Sequence, residues 1–308
     1  MQPCPVPPSQ AAAHYLEQGY VHVPQVVDPV RLDRFRDRIA RAVDDLARER
    51  QAAGAISDLH AGASLEHRLL RITQGKELGR SWDGAAFSPE LHALITDPGV
   101  LGSLQPILGD DLVFDGDFHL RPKLPDSALT AFPWHQDSQY YGPGTEHMHT
   151  VTVWIPLVDV NEANGCLWLI PGSQHWGLQD GARGADLNIR TFADVEARGT
   201  PRPLPMRRGD ILLFSNLTMH ASQVNRSDHV RWSLDLRYSA FPAADMSTRE
   251  REARRLRYGK LAAGGMPGFR ASGPQGTEPF PVWETRRQTA GDVRDQQTFT
   301  TYTKESSS

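Results

Sequence analysis

The spacing of apolar residues changes character near residue 110, and no other feature of the chain restricts its fold so strongly. Up to that point apolar positions recur every three to four residues, as one face of a helix requires. Asp28-Pro29-Val30 supplies an N-cap and a proline in the first turn, and Val30, Leu32, Phe35, Ile39, Val43 and Leu46 follow as the stripe of a long amphipathic helix. Ser88-Pro89-Glu90 and Asp97-Pro98 start two further helices, and one short apolar run, Tyr20-Val21-His22-Val23-Pro24, interrupts the helical pattern. From 111 to 240 the period becomes two. Strands are predicted at 112–121, 147–157, 166–170, 210–214 and 230–238, separated by turns such as Asn164-Gly165, Pro171-Gly172-Ser173 and Arg208-Gly209-Asp210. Short strands with frequent turns fold as an antiparallel sandwich or jelly roll.

The expected organisation is therefore a helical layer over 1–110, a jelly-roll core over 111–240, and a C-terminal helix with an extended tail over 241–308, all parts of one mainly β domain. The stretch 177–203 is polar and Gly-rich, long for a connection, and is expected to be a loop that covers a site. In the segment 249–260, Glu250 and Glu252 alternate with arginines, which reads as a solvated helix face.

Composition closes off other classes. Apolar residues at 39% and charged residues at 23% suffice for a core, and no apolar run approaches the roughly 18 residues that span a bilayer. A net charge of −4 gives no general attraction to nucleic acid or to an anionic membrane. Two cysteines, Cys4 and Cys166, make no disulfide framework, and the N-terminus lacks the basic and apolar regions of a secretory signal, so a cytoplasmic location is expected. Of 33 basic residues only Lys76, Lys123, Lys260 and Lys304 are lysine, a bias that GC-rich codons produce without selection.

His135-Gln136-Asp137 places an imidazole and a carboxylate at i and i+2, which on a strand share one face and make half of a metal site. One such triplet is expected by chance, and a hydrogen-bonded surface pair is its plainer reading. Its context adds weight, because His220 follows the strand-like run 210–214 and Arg231 opens another strand. Two histidines and a carboxylate form the facial triad of non-haem Fe(II) oxygenases, which leaves coordination positions open for a chelating 2-oxoacid and dioxygen. A 2-oxoacid with a distal carboxylate needs a planar, permanently charged fork, which Arg231 supplies unless it is merely a solvated edge-strand arginine.

Several segments agree in order with one family. Trp134-His135-Gln136-Asp137-Ser138, the block from Thr152-Val153-Trp154-Ile155-Pro156-Leu157 through Asn164-Gly165-Cys166-Leu167 to Pro171-Gly172-Ser173-Gln174-His175, then Gly209-Asp210, and finally His220-Ala221-Ser222 with Asn225-Arg226-Ser227 and Arg231 resemble the motifs of the phytanoyl-CoA dioxygenase family of Fe(II)/2-oxoglutarate oxygenases. Gln18-Gly19-Tyr20-Val21-His22-Val23 with Val27-Asp28-Pro29 is similar to the family's N-terminal entry, so the likeness covers roughly residues 12 to 240. The resemblance implies a double-stranded β-helix with iron on His135, Asp137 and His220, and with Arg231 on the distal carboxylate of 2-oxoglutarate. It also implies that Ser222 assists and that Trp154 lines the co-substrate pocket, although a strand tryptophan is as often core. The implied reaction consumes dioxygen and 2-oxoglutarate, releases succinate and carbon dioxide, and oxidises an unactivated C–H bond of a small molecule. Asp137 stands where a halogenating relative would admit a halide, which disfavours that outcome.

The substrate side is less defined. Arg231, Ser233, Asp235 and Arg237 share one face of their strand, and Asp115, Asp117, His119 and Arg121 share one face of another. A charged face usually meets solvent. The alternative is a polar barrel interior, with Arg121, His119 or Lys123 near co-substrate or substrate and Arg237 a second candidate fork. Gln139, Tyr140 and Tyr141, directly after the metal motif, are candidate substrate contacts. Few large apolar residues in 177–203 favour a polar or amphipathic substrate over a long acyl chain. Two other readings use the same residues: a catalytically silent jelly-roll binding protein, and a zinc hydrolase, which leaves Arg231 unexplained. The oligomeric state is not indicated.

Overall fold

The computed structural model describes residues 8–76, 81–142, 144–186, 188–242 and 246–290. Helix α1 (Pro8–Gln18) leads into β1 (Tyr20–Val23), followed by α2 (Pro29–Ala52), α3 (Leu65–Thr73), α4 (Asp83–Ala86), α5 (Pro89–Ile95) and α6 (Pro98–Leu108). Then come β2 (Leu112–Lys123), β3 (Phe132–His135), α7 (Asp137–Tyr141), β4 (Thr150–Pro156) and β5 (Leu167–Leu169). The stretch expected to be a loop contains β6 (Gly181–Arg183), β7 (Ile189–Thr191), α8 (Val195–Arg198) and β8 (Arg202–Leu204). The remaining elements are β9 (Ile211–Ser215), β10 (His220–Ser222), β11 (Arg231–Ala240), α9 (Thr248–Ala263), β12 (Phe269–Arg270) and α10 (Phe280–Ala290). No described helix is long and apolar enough to cross a membrane.

Two antiparallel sheets make a cupin-like jelly roll. The larger runs β1-β9-β4-β11-β2-β12, the smaller β3-β10-β5-β8, and β6 pairs with β7 apart from both. Alternation sorts the larger sheet's side chains. Val151, Val153 and Ile155 of β4 and Trp232, Leu234, Leu236 and Tyr238 of β11 join Leu32, Phe35 and Ile39 of α2 in one buried cluster with the helices. Each large side chain so buried contributes about 1.5–3 kcal/mol. Thr152, Trp154, Arg231, Asp235 and Arg237 lie on the opposite face and line the space between the sheets. The charged strand face is therefore the barrel interior, not the solvent face.

Helix α2 follows its sequence signals closely. Asp28 accepts a hydrogen bond from the Val30 N–H, Pro29 sits in the first turn, and Leu32, Phe35, Ile39, Val43 and Leu46 are buried. Val30, the first of the expected stripe, is exposed, because it lies in the cap before the helix meets its neighbours. Strand limits differ elsewhere. His147 closes a short 3-10 turn (Thr145–His147), so its strand begins only at Thr150, and His220 opens a strand of its own after a break from β9.

At the centre of β2 the register slips, with Phe118 opposite Leu236 but Phe114 opposite Tyr238. Asp115, Gly116 and Asp117 therefore oppose the single residue Arg237, and such bulges re-aim side chains beside active sites. Gly116 has φ +91°, and a Cβ there would lie 2.2 Å from the Met266 carbonyl oxygen, so only glycine fits.

The C-terminal segment corrects the solvated-helix reading. Arg254 and Arg257 of α9 are buried, and Trp283 of α10 is 1% exposed, its indole N–H donating to the Pro267 carbonyl at 2.7 Å. The principal apolar cluster contains residues from all three sequence regions, including Leu32, Trp232 and Trp283.

Asp210 fastens β1 to β9. It accepts from the Arg207 and Gln25 backbone N–H groups at 2.9 and 3.0 Å and from Gln25 Nε2 at 2.7 Å, and meets His22 Nε2 at 2.9 Å. Burial opposes its charge, yet the hydrogen bonds from His22 and Gln25 prevail and bring its pKa down to about 2. A folded pKa below the unfolded value of about 3.9 means the stabilisation is complete above that pH and lost as pH falls toward the folded value. Asp210→Ala should cost about 1–3 kcal/mol in urea unfolding at pH 7, with the deficit shrinking in acid. An unchanged midpoint at neutral pH would contradict the clamp.

Candidate metal centre and its cavity

Strands β3 and β10 pair antiparallel with His135 directly opposite His220, which brings the two imidazole centroids to 4.1 Å. Each ring is oriented from behind. His135 Nδ1 lies 2.7 Å from the Pro133 carbonyl oxygen and His220 Nδ1 2.9 Å from that of Thr218. A carbonyl only accepts, so each Nδ1 carries the proton and each Nε2 presents a lone pair. Asp137 completes the set, and one donor atom from each of the three residues lies within 4.8 Å of the others.

The reason for the His135 and Asp137 pairing differs from the one expected. The two do not share a strand face: His135 ends β3, the chain turns at Gln136, and Asp137 opens α7. Gln136 and Gln139 form a capping box at that turn. Asp137 Oδ2 accepts from the Thr152 hydroxyl at 2.5 Å and lies 3.7 Å from Arg237 Nη2.

Electrostatics suits a cation. Burial, reinforced by His220, lowers the His135 pKa to about 3, and burial lowers that of His220 as well, so both rings are neutral ligands at neutral pH. Burial works against ionisation of Asp137, but the Arg237 guanidinium and both imidazoles hold its carboxyl well below the usual range. Two neutral nitrogens and one anionic oxygen, all buried, fit a divalent first-row metal with open positions.

These groups line a cavity of about 620 Å³ between the sheets and under α3, α4 and α9. Arg231 lines it too and differs from every other arginine there. Its Nη1 donates to Ser233 Oγ and its Nη2 to the Gly165 carbonyl, its plane sits 5.4 Å from the Trp154 ring, and its buried Nε has no hydrogen-bond partner. No carboxylate of the described residues lies within 4 Å of it. Burial brings its pKa down to about 10, which leaves it charged. By contrast Arg237 faces three carboxylates, Asp235 at 3.1 Å, Asp137 at 3.7 Å and Asp117 at 3.8 Å, so it is not a second fork.

Ser222 and Trp154 also line the cavity, both buried. Arg121 lines it with its Nε on both oxygens of Asp235, at 3.1 and 2.9 Å. His119 bridges Asp83 at 3.0 Å and Asp117 at 3.3 Å. Burial lowers its basicity, but the Asp83 charge reverses that and raises its pKa. Tyr140 lines the wall while its hydroxyl accepts from the Ile189 N–H, and Tyr141 lines it with a buried, unpartnered hydroxyl. Lys123 is 2% exposed and donates to the carbonyls of Thr130 and Gln223, a structural role.

Gln139 is the residue the fold keeps from the cavity. Its Oε1 accepts from the Gln136 N–H and its Nε2 donates to the Gln179 carbonyl and Thr191 Oγ1, because the third residue of α7 turns outward. With Gln136 and Tyr140 it pins the 177–191 stretch to α7. Sequence reasoning missed Thr152, Asp83 and Arg257. The guanidinium of Arg257 lies 3.5 Å from the Tyr141 ring centroid and donates to Asp117 at 3.1 Å. The spacing of Ala253, Arg257 and Leu261, each four residues apart and all buried, carried a usable signal.

The model of the phytanoyl-CoA dioxygenase (PhyH) family matches residues 15–233. A probable phytanoyl-CoA dioxygenase of Caenorhabditis elegans is 25% identical over 239 residues, 73% of each chain. An ectoine dioxygenase of Streptomyces anulatus is 23% identical over 70% of this chain and 73% of its own. Among solved structures, the non-haem monooxygenase ThoJ covers 91% of this chain and 96% of its own at TM-score 0.56 and 18% identity. The epimerase SnoN, solved with Fe3+, alpha ketoglutarate and nogalamycin RO, covers 76% of this chain and 83% of its own at TM-score 0.53 and 21% identity. With that match running through both sheets and all three donor residues, the chain belongs to the phytanoyl-CoA dioxygenase family and is an Fe(II)/2-oxoglutarate-dependent oxygenase.

Proposed function

We propose that this oxygenase oxidises an unactivated C–H bond of a small polar or amphipathic metabolite, in the simplest case to an alcohol, with 2-oxoglutarate leaving as succinate and carbon dioxide. The observation that carries this is the pairing, in one cavity, of three converging metal donors with an unneutralised buried guanidinium. A zinc hydrolase has no use for Arg231, and a silent binding protein has no use for two imidazoles fixed with their Nε2 atoms inward.

His135 Nε2, His220 Nε2 and the Asp137 carboxylate would hold the iron, which when bound supplies dioxygen activation with 2-oxoglutarate as reductant. The protein's own groups orient and exclude. The Pro133 and Thr218 carbonyls fix the two rings, and Thr152 and Arg237 fix Asp137. Arg231 holds the distal carboxylate of the co-substrate with the Ser222 hydroxyl assisting and Trp154 as wall. Arg121, His119, Tyr140 and Tyr141 line the substrate side, and the stretch pinned to α7 by Gln139 brings Arg183 to the same cavity. A cytoplasmic location suits the buried, unpaired Cys166.

The test is a screen for succinate released from 2-oxoglutarate by the iron-loaded protein, across amino acids, terpenoids, polyketides and acyl thioesters. Stimulation by a polar or amphipathic compound with an equimolar oxidised product is expected. Turnover only of long-chain acyl thioesters would overturn the substrate class, and absence of all 2-oxoglutarate consumption would overturn the reaction.

A further inference from the structure

Three of the chain's four lysines, Lys76, Lys123 and Lys260, line the cavity that holds the candidate metal centre, while Lys304 lies outside the described residues. Genome composition explains why arginine is used almost everywhere else. It does not gather the remaining lysines in one place. Lys123 is accounted for by its two carbonyl partners. Lys76 and Lys260 are not. One lies just past α3 and the other near the end of α9, both are exposed at the cavity's edge, and neither has a carboxylate within 4 Å among the described residues.

The cavity's own carboxylates have no need of these lysines. Asp83 meets His119, Asp117 meets Arg257, Asp137 meets Arg237, and Asp235 meets Arg121. Arg231 serves the co-substrate. Two ammonium groups are therefore in excess at the mouth of the cavity, in a chain whose overall charge is −4. A low-dielectric cleft lined with one sign of charge concentrates the opposite sign. Between these charges and the triad the walls turn apolar, with Trp82, Phe132, Leu261 and Leu129, the last 65% exposed on the lip.

We propose that Lys76 and Lys260 hold the anionic group, a carboxylate, sulfonate or phosphate, of an amphipathic small-molecule substrate whose apolar body lies along Trp82, Leu129, Phe132 and Leu261 toward the triad. This rests on reading the cavity as the substrate chamber and names the class of substrate it takes. Lysine's flexible point charge suits an anion held without fixed bidentate geometry, so arginine should replace it here.

Two dyes test the inference on the full chain without metal: anilinonaphthalene sulfonate and N-phenylnaphthylamine, which shares its aromatic body but lacks the sulfonate. Fluorescence titration at low ionic strength should show the anion binding at least about tenfold more tightly, with the advantage narrowing in about 0.5 M salt. In a Lys76→Gln/Lys260→Gln double variant the advantage should fall to within about twofold, and in the corresponding double arginine variant it should persist. Equal affinities in the parent, failure of both dyes to bind, or an undiminished advantage in the glutamine variant would each overturn the proposal. The dyes need neither iron nor oxygen. Sulfonate selectivity without any succinate release would therefore remove the catalytic reading and keep the anion site, and the opposite pair of results would do the reverse.

Discussion

Replacing His220 with alanine lowers 2-oxoglutarate turnover by more than about 100-fold, since even partners behind a metal ligand are worth 10- to 100-fold and a ligand is worth more. The fold survives the change. His220 stands on the short strand β10, outside the principal apolar cluster, and its ring contacts are with Phe214 and His135. Unfolding in urea should therefore stay cooperative, with a loss of roughly 1–3 kcal/mol for the vacated space, typical of a single buried change. His135→Ala should behave alike, because the two rings face each other across one strand pair. Turnover within about tenfold of the parent in either variant would remove the triad from the mechanism.

Arg231→Leu should weaken 2-oxoglutarate binding by about 30-fold or more, the equivalent of 2 kcal/mol for losing one partner of a buried charge pair. Arg231→Lys should recover only part, because the ammonium keeps the charge but not the planar fork. The decisive comparison is with 2-oxobutanoate, which has the chelating keto acid but no distal carboxylate. The parent should prefer 2-oxoglutarate strongly, and Arg231→Leu should bind the two about equally. A preference that survives in the leucine variant would move the fork to Arg121, whose Nε alone is engaged by Asp235, since Arg237 is enclosed by three carboxylates.

The change of period from helix to strand was enough to place the helical layer and the sheets, and Asp28, Ser88 and Asp97 cap the helices as expected. Alternation grouped Arg231, Ser233, Asp235 and Arg237 on one face, but period two cannot say which face looks inward. That was decided by the helices covering Trp232 and Leu234, a tertiary fact. The donors His135, Asp137 and His220 were legible through their spacing and family motifs, although the turn at Gln136 that joins the first two was not, because it depends on side-chain capping. Arg257 and Trp283 come from a segment whose composition reads as solvated. Their burial depends on contacts with β2 that no local pattern encodes.

The most direct test of the metal centre is a crystal structure of the protein soaked anaerobically with Mn(II) and 2-oxoglutarate, with the metal located by anomalous scattering. The account predicts one strong peak bonded to His135 Nε2, His220 Nε2 and the Asp137 carboxylate, with the co-substrate chelating it and its distal carboxylate on Arg231. A peak elsewhere, none at all, or a co-substrate turned away from Arg231 would contradict it.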